Sequence, residues 1–230
     1  MDETTEEIIT ATDAGMTPIE SLVDFFQSGG IFMYVILFIW GIGLAIAIER
    51  FFKRRKLDVD GSSFMNELQR YVLSNDIQGA IRVCSGSIAA LPRVLKGGLK
   101  RAGQKTEQIQ NAIDATALEV IPKVELRLNY LQMIANISTL FGLLGTIQGL
   151  VQTFAAIGGD VDPAQKSKLL TEGIATAMNT TFLGLLAAIS IIVLHTFLST
   201  KSEKIINGID EFSVKLIDLL TVKTKQDEAS

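Results

Sequence analysis

The chain holds a single cysteine, a single histidine, a single tryptophan and only four prolines among 230 residues. One thiol, Cys84, excludes a disulfide framework. It reads instead as a small apolar residue buried in a helical domain. His195 has no Cys, Asp or Glu near it in sequence to complete a metal site, so it reads as a packing or interfacial residue. The glycine-rich stretches 97–103 and 142–149 lack a Gly-Lys-Ser/Thr and match neither a Walker loop nor a dinucleotide fingerprint. No arrangement of nucleophile, base and acid is visible, so no enzyme is expected. The formal net charge of −4 gives no broad basic footprint for nucleic acid.

The most informative absence is local. Residues 31–48, 128–159 and 173–200 contain no Asp, Glu, Lys or Arg. A helix needs about 20 mostly apolar residues to cross a hydrocarbon core about 30 Å thick. Three spans are therefore expected, over 31–49, 130–157 and 173–199. The first is no signal peptide, since an acidic segment precedes it and no small-residue cleavage site follows. Residues 1–30 carry seven acids and no base, whereas Arg50, Lys53, Arg54, Arg55 and Lys56 crowd the end of the first span. The positive-inside rule puts that end in the cytoplasm. Residues 1–30 then lie outside, 50–127 form a cytoplasmic domain, 158–172 a loop on the outside, and the C-terminus is cytoplasmic. The basic run could also meet anionic lipid, but orienting the span accounts for it.

The expected fold is an all-α membrane protein, with a helical cytoplasmic domain and helical extensions of the second and third spans. Thr17-Pro18-Ile19-Glu20 is a capping-box pattern with proline at the first helical position. With Ile19, Leu22, Val23, Phe25 and Phe26 on one face, it predicts an interfacial helix over 18–28. Cytoplasmic helices are expected near 62–74, 76–84 and 88–102, with Gly97-Gly98 and Gly103 interrupting or ending the last. Another starts near Thr106-Glu107 and runs into the second span, kinked at Pro122. Residues 200–222 form an amphipathic helix with Ile205, Ile209, Phe212, Leu216 and Leu219/Leu220 on one side. Residues 223–230 read as a disordered tail.

The spans carry two stripes of small and polar residues. Ser138, Gly142, Gly145, Thr146, Gly149, Gln152, Thr153 and Ala156 recur at three- and four-residue steps in the second. Gly173, Thr176, Ala177, Thr180, Thr181, Gly184, Ala187 and Ala188 do so in the third. Helix packing explains Gly142, Gly145, Gly149, Gly173, Ala177 and Gly184, because small residues let membrane helices approach. It explains less well the many polar groups, among them Asn136, Thr139, Gln148 and Asn179. Such groups usually face a bundle interior or a wet cavity. Trp40 and Tyr34 read as packing or lipid-facing aromatics. No Asp or Glu lies within the three charge-free blocks. A hydroxyl can coordinate a cation or orient a water, but it takes up no proton near neutral pH. If an ion crosses, a partner must supply the carboxylate. Three helices cannot easily enclose a polar path, so a homo-oligomer with inward stripes is expected around that partner.

Phe141-Gly-Leu-Leu-Gly-Thr-Ile-Gln-Gly149 resembles the second-span motif of the MotA/TolQ/ExbB family. Gly173-Ile-Ala-Thr-Ala-Met-Asn-Thr-Thr-Phe-Leu-Gly184 is similar to its third-span motif. Ile48-Glu49-Arg50 and Leu91-Pro-Arg-Val-Leu-Lys-Gly-Gly-Leu99 also resemble ExbB-type members. The three-span count favours the ExbB/TolQ branch over four-span MotA. The resemblance implies a bacterial inner-membrane motor subunit, forming a pentamer around two copies of a single-span ExbD/TolR-like partner. That partner carries the membrane aspartate. Ion flow is implied to drive rotation and pass force to the envelope, through the partner or a TonB-like protein. Thr146 and Thr181 match the family threonines that line the ion path.

Two departures bear on the ion. Proton-using members carry glutamate in the pattern Gly-Ile-Ala-Glu-Ala, where this chain has Thr176. They have alanine where this chain has Thr180, and the Thr-Thr pair resembles sodium-driven flagellar stators. Thr139 stands where the family often has proline. Sodium needs several oxygen ligands, which Thr146, Thr180 and Thr181 could offer beside the partner's aspartate. Sodium is therefore favoured over the proton as the transported cation, with no other cofactor. The main alternative is a structural membrane scaffold without an ion path. A small-molecule transporter is weaker, since no inverted repeat or broken substrate-binding helix is evident.

Overall fold

The computed structural model describes residues 19, 23, 25–27, 29–57, 59–158 and 162–228, for the backbone alone at 54–57 and 224–228. The helix expected over 18–28 lies largely outside the described residues, as does most of the acidic segment before it. Seven helices have defined bounds: α1 Gly30–Leu57, α2 Gly61–Leu73, α3 Ile77–Gly86, α4 Ala90–Leu99, α5 Thr106–Glu125, α6 Leu128–Ile157 and α7 Pro163–Glu228. No strand occurs among the described residues. The chain is all-α, as its sequence predicts.

Three helices are long and apolar enough to cross a membrane. At 1.5 Å per residue, the 30 residues of α6 reach about 45 Å. Their outer faces are what a membrane or neighbouring chains would cover: Ile31, Phe38, Phe154 and Phe182 are 60–72% exposed. Water would not tolerate that much clustered apolar surface on a monomer.

The chain divides into two compact units, Met1–Leu44 with Gln132–Ile192, and Ala45–Leu131 with Val193–Ser230. In the first, Met33, Ile36, Leu183 and Ala187 form the core, with Trp40 and Phe141 packed against it. Trp40 is a half-buried packing residue whose Nε1–H donates to Ser190 Oγ at 2.8 Å, tying α1 to α7. In the second, Leu68, Val72, Ala80, Leu95, Ile113 and Ile209 share one core with Phe212, Leu216 and Leu220. The apolar face expected over 205–220 is thus the buried one. Cys84 belongs to the same core, and burial pushes its thiol up to about 11.

Several local expectations are corrected. Gly97 and Gly98 do not interrupt a helix; they lie inside α4 and let it close on α5. A Cβ on Gly97 would stand 2.9 Å from the Ala112 carbonyl oxygen. Only Gly103 sits in a turn, with φ +83°. The loop expected over 158–172 is shorter, because α7 begins at Pro163. Proline at a first helical position lacks only an N–H that has no intrahelical partner there, and Lys166 N–H donates to the Asp162 carbonyl at 2.9 Å. The tail expected to be disordered from 223 is helical to Glu228. Propagating an existing helix through Lys, Gln and Glu costs little. Lys223 Nζ also donates to Asn75 Oδ1 at 2.8 Å.

The helix expected to run from Thr106 into the second span is broken. Pro122 stays inside α5, and the break falls at Leu126 and Arg127, where Arg127 has φ 69°. Local sequence does not demand this, because a left-handed arginine is unfavourable. Remote residues hold it: the Arg50 guanidinium donates to the Leu126 carbonyl, and Arg127 Nη1 donates to Glu49 Oε2 at 2.5 Å. Arg50 is 5% exposed. Arg50→Ala would leave a carbonyl short of a donor, costing about 1–3 kcal/mol. A lowered thermal midpoint of the purified protein is expected, and an unchanged one would show the clamp to be incidental.

Candidate functional site

The two small-residue stripes meet each other within one chain. A Cβ built on Gly184 would lie 2.8 Å from the Gly142 Cα and 2.9 Å from the Ser138 carbonyl oxygen. One on Gly149 would lie 3.0 Å from Ala177 Cβ, and one on Gly145 would lie 2.8 Å from Thr180 Cβ. One on Gly173 would collide with Thr153 Oγ1. Gly142, Gly145, Gly149, Gly173, Ala177 and Gly184 are therefore the seam along which α6 and α7 close on each other.

Hydroxyls inside the seam are satisfied by their own helices. Ser138 donates to the Ile134 carbonyl at 2.8 Å and Thr153 to that of Gly149 at 2.7 Å. Thr180, 1% exposed against Gly145, has the carbonyls of Thr176 and Ala177 each at 2.9 Å. Back-bonding of this kind lets a threonine sit in a membrane helix without a partner on another helix.

Thr146 and Thr181 lie at the edge of the seam instead. Both are half-exposed, and their hydroxyl oxygens are 2.5 Å apart. Thr181 Oγ1 also lies 3.0 Å from the Gly142 carbonyl oxygen, and Thr146 Oγ1 3.2 Å from it. Each hydroxyl has one proton to give. If one donates to Gly142, the other donates across the pair, and either choice leaves the pair with more acceptor than donor capacity. A cation or the hydrogens of a water fit that surplus. Thr176 stands apart, donating to the Glu172 carbonyl at 2.9 Å. Five residues turn a helix by about 140°, which puts Thr176 on the opposite edge of the seam from Thr181.

His195 is half-buried. Among the described residues no group of three or more His, Cys, Asp or Glu could hold a metal ion. Oxygens of hydroxyls and carbonyls are what this arrangement offers, and they suit a weakly held, mobile cation better than a resident metal.

Residues 87–211 match the MotA/TolQ/ExbB proton channel family. The chain belongs to the MotA/TolQ/ExbB family. It is similar to a putative biopolymer transport protein ExbB homolog of Methanothermobacter thermautotrophicus, with 25% identity over 191 residues, 83% of this chain and 67% of that protein. It is also similar to the putative biopolymer transport protein ExbB-like 1 of Synechocystis, 28% identical over 82% of this chain and 75% of that one. Tol-Pal system protein TolQ of Haemophilus influenzae is 33% identical over a shorter stretch, 42% of this chain and 43% of its own. This MotA/TolQ/ExbB protein is accordingly a membrane-spanning transport and motor-type protein of the three-span, ExbB-like kind, not an enzyme.

Sequence reasoning singled out Thr146 and Thr181 but not the Gly142 carbonyl they share. Nor did it find the Trp40–Ser190 bond or the pairing of Glu49 and Arg50 with Leu126–Arg127. All of these depend on which helices are neighbours, and no local signal in the chain announces that.

Proposed function

We propose that this MotA/TolQ/ExbB protein is the ExbB-like subunit of an ion-driven inner-membrane motor. Five copies surround a dimeric, single-span ExbD/TolR-like partner, and the partner's membrane aspartate faces the Thr146–Thr181 pair. Cation flow past that pair drives rotation, and the partner or a TonB-like protein carries force to the envelope. The observation that supports this reading most directly is the hydroxyl pair at the edge of the seam, with acceptor capacity left over. A scaffold would need the glycine seam but has no use for two hydroxyls beside it.

Sodium is the favoured ion. The pair offers two hydroxyl oxygens beside the partner's carboxylate, and water can complete the shell. No carboxyl of this chain lies in the apolar blocks to relay a proton. Thr180 supports the site from within the seam. The basic cluster after the first span supports a periplasmic N-terminus and a cytoplasmic C-terminus. The test is ion-driven activity of the complex purified with its partner, measured across a sodium series at fixed pH. Activity that rises and saturates with sodium is expected; activity independent of sodium would assign the proton instead.

A further inference from the structure

Gln148 and Gln152 are exposed on one side of α6, and a longer polar series lies on the other. Gln132, Asn136 and Thr139 are all exposed on this chain. At 100° per residue they fall, with Gly142 and Thr146, within an arc of about 120° on one side of the helix. Gln132 Nε2 lies within donor reach of Asn136 Oδ1, at 3.5 Å. Thr139 Oγ1 donates to the Ala135 carbonyl at 3.2 Å, which leaves its lone pairs facing out. Next along the same arc come the Gly142 carbonyl and the Thr146–Thr181 pair. From Gln132 to Thr146 the series rises about 21 Å along the helix.

It is also one-sided. Beyond Thr146, the exposed residues on that arc are Leu150 and Phe154, 36% and 65% exposed. Neither offers an oxygen. On the flank of the polar series, Met133, Leu140 and Leu144 are exposed and apolar. Amides and hydroxyls left uncovered at membrane depth are costly unless they meet water or one another. Five residues before Gln132 in the chain stands Arg127, the first charged residue on that side. On this arc the series therefore leads from the middle of the second span towards its charged end.

We propose that Gln132, Asn136 and Thr139 form a hydrated half-path along which the cation passes between the Thr146–Thr181 pair and the Leu128 end of α6. This rests on the ion-path reading above, and it adds a direction. Amide and hydroxyl oxygens replace part of the ion's water shell at each step, while none binds it tightly enough to stop it.

The single native cysteine makes the test direct. In a Cys84→Ala background, the variants Gln132→Cys, Asn136→Cys and Thr139→Cys are prepared in the complex with its partner, alongside Leu140→Cys and Leu144→Cys. A membrane-impermeant, positively charged methanethiosulfonate is the probe. Positions 132, 136 and 139 are expected to react at least about tenfold faster than 140 and 144, as thiols in a wet path do. Asn136→Leu is expected to slow ion-driven activity about tenfold or more and Asn136→Ser to restore much of it, since the path needs polarity rather than one amide. Equal reaction at all five positions would overturn the half-path, and so would full activity in Asn136→Leu. The two readings fail separately. If Thr181→Val stops activity but 136 and 139 stay unreactive, only the half-path is lost. If 136 and 139 react while Thr181→Val is fully active, the ion-path reading itself is lost, and the half-path with it.

Discussion

Thr181→Val is expected to abolish ion-driven activity while the complex still assembles. Valine has nearly the shape of threonine and keeps its β-branched fit against α6. What disappears is the hydroxyl that lies 2.5 Å from Thr146 Oγ1 and 3.0 Å from the Gly142 carbonyl oxygen. An interaction with a charged group is worth roughly 1.5–3 kcal/mol. Losing one such ligand weakens cation binding by roughly ten- to a hundredfold. Thr181→Ser restores the oxygen and should restore most of the activity. Thr180→Val is expected to do less to the ion, because that hydroxyl is bonded within its own helix inside the seam. Activity and complex yield are measured side by side. Wild-type activity in Thr181→Val would reduce the pair to packing.

Gly184→Val is expected to have the opposite signature, loss of the folded protein itself. The first added carbon would meet the Gly142 Cα at 2.8 Å and the Ser138 carbonyl oxygen at 2.9 Å. Those are backbone atoms, so no side chain can rotate away, and α6 and α7 must part. Overpacking usually costs about 1–3 kcal/mol, and more when backbone must move. The seam is continuous from Gly173 to Gly184, so a local separation also disturbs the edge on which Thr181 stands. Accumulation and thermal midpoint in detergent should both fall. Gly41→Ala is the contrast: its Cβ would meet nothing within 4 Å, and helix propensity alone favours alanine by about 1 kcal/mol. Equal stability of both variants would show that the seam does not hold the helices.

Charge-free blocks and helical periodicity were enough to read three long helices and the buried face of residues 205–220. Both signals are local, since each helix declares its apolar side by spacing alone. The stripes of small residues were legible for the same reason. Their sorting into seam and edge was not. Thr180 and Thr181 are adjacent, only about 100° apart, and either could have faced α6. Contact with Gly145 puts Thr180 inside, and the shared Gly142 carbonyl puts Thr181 at the edge. The break at Leu126–Arg127 was illegible because its partners, Glu49 and Arg50, are more than 70 residues away. The start of α7 at Pro163 is a different case. Its Asp162-Pro163 has the same proline-start signature as Thr17-Pro18, and only the expectation of a longer loop hid it.

The most direct test of the ion path is flux across a sealed membrane. Proteoliposomes holding the complex of this chain with its single-span partner are given an imposed sodium gradient, and sodium release is followed against empty vesicles. Wild type should dissipate the gradient, and the Thr146→Val/Thr181→Val double variant, assembled to the same extent, should leak no faster than empty vesicles. Equal flux in wild type and double variant would contradict the account.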